Sequence, residues 1–339
     1  MKRRVVEATA PCRVDLAGGT LDIWPIYLFH PGALTVNVAV DRRAWCRAET
    51  GVEGVVIESK DTLQKVSGRT VSEVLGTGQL SLVAQILRAL GVDSGIKVVT
   101  QSKVPAGSGL GGSSALAVAV AAAVSRAVGR DRDHDGLWAV VRDAAVRTIA
   151  VPTGVEDYFA ALHGGTLAVH LETGEIRVER LGVDPGRVEE SLILVDAGAT
   201  RSSGVNDWDV LKGQIDGDEK VRSALEAIAA VATRVREALL AGRFEDVVDL
   251  MAEEWEARKR LAPGVTTPEI DRIATIARGA GGAAKACGAG GGGVVAVWAP
   301  PGQRGPGRRE AVEAALKAAG FRVFSARIDL RGLDVELET

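Results

Sequence analysis

The sequence holds 339 residues, with 41 Lys and Arg against 44 Asp and Glu and a formal net charge of −3; that balance leaves no basic footprint for nucleic acid, and the length suffices for two domains or one large one. Hydrophobic residues make up 46%, as in an ordinary globular chain, and the apolar run from Ala115 to Val124 is about half of what a membrane span needs. Three widely spaced cysteines (Cys12, Cys46, Cys287) and four histidines without H-E-x-x-H spacing argue against a disulfide framework and a zinc enzyme, and fit a reducing compartment.

Taken in order, Lys2-Arg3-Arg4 is a short basic tag with no apolar signal segment behind it, so a cytoplasmic protein is expected. Residues 4–18 read as strand, loop and strand closing on Gly18-Gly19. Thr35 to Val40 and Ala44 to Ala48 read as two strands joined at Asp41-Arg42, and Val55 to Glu58 as another. Leu80, Val83, Ile86, Leu87 and Leu90 recur at helical spacing up to Gly91. Ile96 to Thr100 is strand-like, and helices are expected over Ala115–Val128 and Leu137–Ala150, the second stopped by Pro152. A strand follows Gly164-Gly165, and Asp184-Pro185-Gly186 marks a boundary, giving domains 1–186 and 187–339. The second half reads as a strand at Leu192–Val195, helices near 218–241, 244–260 and 268–280, and a strand at Val294–Trp298. A helix near 307–319 and a strand at Phe321–Ile328 complete it. Strands and helices mix without strict alternation, which is an α+β pattern in two layers.

The densest signal is Pro105-Ala106-Gly107-Ser108-Gly109-Leu110-Gly111-Gly112-Ser113-Ser114-Ala115, between a strand and a long apolar helix. Glycines let the backbone turn tightly and approach a ligand, Ser113 or Ser114 is placed to cap the helix, and its first-turn N–H groups suit an anion. Gly107, Gly109 and Gly112 also satisfy the dinucleotide fingerprint, but no apolar strand precedes the acids about 20 residues on that such a unit requires. A Walker A loop would need a lysine before Ser113. A plain Gly/Ser turn opening a buried helix is the other reading.

Three more segments carry reactive groups. In Arg13-Val14-Asp15-Leu16-Ala17-Gly18-Gly19-Thr20-Leu21-Asp22, a cation, a double glycine and acids in a short turn suit a polyhydroxylated ligand or form a surface hairpin. Glu156 and Asp157 lie in a largely uncharged stretch, where a general base, a Mg²⁺ ligand or a helix N-terminal acid pair fits equally. Four consecutive glycines, Gly290 to Gly293, stand just before a strand, where close packing on a ligand or loop, or a hairpin, explains them.

Together these segments resemble the GHMP kinase superfamily across nearly the whole chain. Pro105-x-x-x-Gly109-Leu110-Gly111-Gly112-Ser113-Ser114-Ala115 is similar to its phosphate-binding motif, and Lys285 to Gly293 to its third, glycine-rich motif. Ala17-Gly18-Gly19 with Asp22, and Ala199-Thr200-Arg201-Ser202-Ser203, look most like the heptose-phosphate and fucose kinase branch. Leu21, and Gly112 at a usual serine position, depart from that branch.

The resemblance implies a two-domain fold, with a ribosomal S5 domain 2-like N-terminal part and a ferredoxin-like C-terminal part. It implies an ATP- and Mg²⁺-dependent kinase acting on a sugar or sugar-phosphate hydroxyl, as a monomer or homodimer without nucleic-acid or membrane partners. A mevalonate-type kinase and a silent sugar or nucleotide sensor are the alternatives. By the same resemblance, Pro105, Gly107, Ser108, Gly109, Leu110, Gly111, Gly112, Ser113 and Ser114 would hold the nucleotide. Ser113, with Ser114 as fallback, and Glu156 would face Mg²⁺. Asp157 would take the hydroxyl proton and Arg13 steady the developing charge. Gly18, Gly19, Asp22, Arg201, Gly290 and Gly291 would form the acceptor side.

Overall fold

The computed structural model describes residues 3–105, 107–198, 204–302 and 307–338. The first half opens with β1 (Val5–Ala17), a single-turn 3₁₀ helix (Ile26–Phe29), β2 (Leu34–Thr50), β3 (Val55–Ser59) and β4 (Gln64–Gly68). Then come α1 (Val71–Gly76), α2 (Ser81–Ala89), β5 (Ile96–Ser102), α3 (Gly112–Ala127), α4 (His134–Ile149), α5 (Glu156–His163), β6 (Thr166–Glu172) and β7 (Glu175–Arg180). The second half runs α6 (Pro185–Ser191), β8 (Leu192–Asp196), α7 (Gly204–Asp216), α8 (Glu219–Leu240), α9 (Asp246–Arg258) and α10 (Pro268–Gly279). It continues with β9 (Ala283–Ala286), β10 (Val294–Trp298), α11 (Arg308–Ala318), β11 (Arg322–Phe324) and β12 (Asp334–Glu338).

The first sheet runs β12-β1-β2-β5-β3-β4, with β6 and β7 branching from β2. Among the described residues only β3 and β5 pair in parallel. Residues 4–18 form one long strand rather than strand, loop and strand. Pro11, which has no N–H to offer a ladder, falls where the register with β2 shifts between Pro11 and Cys12, so the bulge absorbs it without breaking the strand. β2 is likewise continuous through Asp41-Arg42, because Arg327 O accepts from Asp41 N at 3.0 Å and Ile328 bridges Val40, taking up pairing where β1 slips. Those bonds also explain why the last predicted strand contracts to Arg322–Phe324.

α3 packs on β1 and β2 and is buried nearly all round, mostly as Ala and Val. Small side chains let the helix axis come close to the sheet, which brings the helix start over the centre of the long strands. The second sheet, β11-β8-β10-β9, is antiparallel, with α7 to α10 between β8 and β9 and α11 between β10 and β11, a ferredoxin-like order. Together the two sheets make a two-domain α+β fold. No described helix is long and apolar enough to cross a membrane.

The halves meet through a buried quartet of charges. Asp15 of β1 accepts from Arg258 of α9 at 2.6 Å and from Lys285 of β9 at 3.0 Å, and Glu254 accepts from the same lysine at 2.8 Å. All four side chains are at most 3% exposed. Burial alone would raise the Asp15 carboxyl, but Lys285 and Arg258, then Arg13, hold it well below the usual carboxylate range.

Removing one cation leaves two buried anions to share the other. Lys285→Met should therefore lower the unfolding free energy by about 3–5 kcal/mol, whereas Arg234→Ala, which breaks the exposed pair with Glu253, should cost less than about 1 kcal/mol. Urea unfolding measures both; equal losses would remove the quartet from its clamping role.

Candidate active site

The glycine loop between β5 and α3 takes left-handed backbone at Gly107 (φ +75°), Gly109 (φ +79°) and Gly111 (φ +71°). Gly111 is the N-cap of α3, and no side chain caps it. The expected cap by Ser113 or Ser114 is thus corrected: both lie inside the first helical turn, because the glycine turn ends one residue before Gly112. The first-turn N–H groups are left without a side-chain partner, which is the arrangement that receives an anion.

The loop is held from behind by the second glycine run. A Cβ on Gly109 would stand 2.3 Å from Cys287 O, and one on Gly293 2.7 Å from Ser108 O. Val294 N donates to Ser108 O at 2.9 Å. Backbone thus packs directly on backbone, which accounts for both runs at once.

A cavity of about 700 Å³ opens over this loop. Pro105, Gly107, Ser108, Gly109, Gly111, Gly112, Ser113 and Ser114 line it. Leu110 does not; it is 1% exposed, and its carbonyl accepts from Arg13 N at 2.9 Å. At one end the lining is largely apolar, with Leu80, Leu82, Val83 and Val104. The other end is charged.

Asp157 stands in the first turn of α5 and faces the loop. Its Oδ2 accepts from Ser114 Oγ at 3.1 Å, and its Oδ1 lies 2.5 Å from an Arg13 terminal nitrogen. Arg13 is 5% exposed; its Nε also donates to Glu156 Oε1 at 2.9 Å, and its Nη1 to Gly109 O. One guanidinium therefore links strand β1, the glycine loop and both acids of α5. Burial, then Asp15, pushes the Glu156 carboxyl well above its usual range against the opposing pull of Arg13; its Oε2 is buried without a partner.

Asp22 lines the cavity with a more structural posture than a sugar ligand requires. Its Oδ2 accepts from Val155 N at 2.6 Å and from Glu156 N at 2.8 Å, so it caps α5 from a distant segment. Gly154 makes room for it, since a Cβ there would lie 2.4 Å from the same oxygen. Burial raises the Asp22 carboxyl despite those two bonds.

The acceptor-side glycines divide. Gly19 and Gly290 line the cavity, and a Cβ on Gly19 would meet Asp15 Oδ2 at 2.4 Å. Gly18 and Gly291 do not line it: a Cβ on Gly18 would strike Leu34 O at 2.3 Å, and Gly291 N donates to Val265 O at 2.9 Å. Arg201 lies outside the described residues.

Sequence reasoning missed Thr20, Asp207 and Arg258, all in the lining. Thr20 holds φ +81°, rare for a β-branched residue, and its hydroxyl accepts from Arg258 at 3.1 Å. Burial, with Asp22 near it, pushes Asp207 up to about 7. Nothing around Asp207 or Arg258 in the sequence sets them apart from helix-surface charges.

Among the described residues no three His, Cys, Asp or Glu form a metal cage. The oxygens of Ser113, Ser114, Glu156 and Asp157 are instead a partial, hard donor set, which fits a Mg²⁺ ion completed by phosphate and water.

Comparison with known proteins agrees with this architecture. The family profile "GHMP kinases N terminal domain" matches residues 79–165, and "GHMP kinases C terminal" matches residues 235–321. The D-glycero-alpha-D-manno-heptose 7-phosphate kinase of Campylobacter jejuni is 25% identical, covering 88% of this chain and 90% of that protein. The mevalonate kinase of Thermococcus gammatolerans is 28% identical over 98% of each. In fold, the crystal structure of a D-glycero-D-manno-heptose 1-phosphate kinase from Bacteroides thetaiotaomicron aligns with a TM-score of 0.77, 23% identity and 98% of each chain covered.

Gly109→Ala tests the loop packing. Gly174 has φ +85° but nothing within 4 Å of a Cβ, so Gly174→Ala reports backbone strain alone. Gly109→Ala should cost roughly 2 kcal/mol more and abolish the thermal protection given by Mg·ATP. Equal melting shifts and retained protection would show that the contact with Cys287 does not shape the loop.

Proposed function

The chain belongs to the GHMP kinase superfamily, and on that footing we propose that it transfers the γ-phosphoryl group of ATP to a hydroxyl of a sugar or sugar phosphate. Membership makes it a phosphotransferase with an alcohol group as acceptor, acting on a small hydroxyl-bearing molecule. The observation that carries the finer reading is Asp157, partly exposed to the cavity, flanked by Arg13 and Ser114 and facing the start of α3.

In this reading the first-turn amides of α3 and the loop from Gly107 to Ser114 bind the triphosphate, with the base toward Leu80, Leu82 and Val83. Asp157 takes the proton of the acceptor hydroxyl as its oxygen attacks the γ-phosphorus, and Arg13 orients Asp157 and balances charge beside the loop. Ser113, Ser114 and Glu156 would hold a metal ion, which when bound would neutralise phosphate charge. Thr20, Asp22, Gly19 and Gly290 face the acceptor. The working domains are 1–186 and 187–339, with β12 returning to the first sheet.

Support for a sugar comes from the heptose 7-phosphate kinase relative and from the Gly-Gly turn with Asp22. A mevalonate-type acceptor is the second reading, favoured by mevalonate kinases 26–28% identical over 98% of this chain.

Asp157→Asn keeps the side-chain shape and the hydroxyl contact but removes the base. We expect kcat to fall by on the order of 10²–10⁴-fold with Mg·ATP affinity within a few fold of wild type. Arg13→Met should reduce kcat more than it weakens ATP binding. Undiminished turnover in Asp157→Asn, measured by ADP release, would sink the assignment.

A further inference from the structure

Thr20 carries a backbone that its residue type resists. Its φ of +81° lies in the left-handed region, where a β-branched side chain is strained and glycine is not. Gly18 and Gly19 precede it directly, yet this position of the turn holds threonine. Strain of this kind persists where the surroundings over-determine a residue. Here they fix the hydroxyl: Thr20 lines the cavity, and its Oγ1 accepts from Arg258 Nη2 at 3.1 Å.

The two terminal nitrogens of that guanidinium serve different ends. Nη1 donates to Asp15 at 2.6 Å and to Glu254 at 3.4 Å, inside the charge quartet. Nη2 donates to Thr20 Oγ1 and, also at 3.1 Å, to Gly288 O. Each Nη2 contact leads on to the transfer machinery. Two residues beyond Thr20, Asp22 accepts from Val155 N and Glu156 N at the start of α5, immediately before Asp157. Gly288 lies against the phosphate loop, since a Cβ there would stand 3.1 Å from Gly109 Cα. Nη2 thus ties the turn that steadies Asp157 to the glycine run that backs the nucleotide loop.

We propose that Arg258 is a positioning residue for phosphoryl transfer, acting through Thr20 to set the spacing between Asp157 and the phosphate loop. The proposal rests on the kinase reading and extends it. An in-line transfer loses rate steeply when its partners shift. Lysine at 258 keeps a positive charge for Asp15 and Glu254 but lacks the planar fork that reaches Thr20 and Gly288 as well.

Hexoses, sugar phosphates and mevalonate are first screened with Mg·ATP by ADP release, and the best acceptor is carried through the variants. Arg258→Lys and Thr20→Gly should each lower kcat on the order of tenfold or more, with the ATP KM within a few fold of wild type. Thr20→Gly should melt within a few degrees of wild type, because relief of the strained φ offsets the lost hydrogen bond. Thr20→Ser, which restores the hydroxyl, should recover most of the rate. The double variant should fall no further than Arg258→Lys alone, since both changes break one contact. Losses that multiply in the double variant, or an unmoved kcat in Thr20→Gly, would overturn the proposal and leave the kinase reading standing. No turnover of any acceptor by the wild-type chain, together with no thermal protection by Mg·ATP, would defeat both.

Discussion

Two acids and two cations buried where the halves of the molecule meet are the constraint on which the site depends. Asp15 belongs to the first sheet, Lys285 to the second, and Glu254 and Arg258 to a helix of the second half. Ion pairs taken this far from water add little net stability over an apolar core, but they fix geometry because every misalignment leaves a charge unpaired. Arg258 extends the constraint to the ligand side, since it also donates to Thr20 and to Gly288 O. The turn carrying Thr20 and Asp22 and the second glycine run are thereby set by the same guanidinium.

Two arginines divide the electrostatic work. Arg258 sits in the clamp between sheets, and Arg13 one layer nearer the cavity, where it holds Glu156 and Asp157 at the start of α5. Their neighbours differ accordingly: Asp15 is held far below its usual range by surrounding cations, while burial and adjacent acids drive Glu156 far above it. Carboxylates close together in space thus have opposed proton affinities, a separation that arises from burial and charge and not from residue type.

Much of this was legible in the chain. Glycine runs at 107–112 and 288–293 announce close backbone approach, and helical periodicity placed α2, α8, α9 and α10 within a few residues of their observed ends. Arg13 and Ser114 both come within hydrogen-bonding distance of Asp157 although 144 positions separate Arg13 from Asp157. What could not be read depends on contacts distant in sequence. β2 runs through its expected break because Arg327 and Ile328 pair there, and β1 because the bulge after Pro11 absorbs the proline. The quartet escaped notice because its members come from three segments far apart in the chain, and Asp207 because only the fold brings it over Asp22.

The outer edge of β1 is covered by β12, with Val5 paired to Glu338 and Thr9 to Asp334. A strand formed first in the chain is thus sealed by one made more than three hundred residues later. Until residues 334–338 leave the ribosome, the nascent first sheet presents a bare hydrogen-bonding flank, an opening for mispairing with other chains. Biogenesis of the nucleotide-side half is therefore not finished when its own strands are synthesised, and a co-translational guard over that flank would matter most during the long interval in which the second sheet is being built.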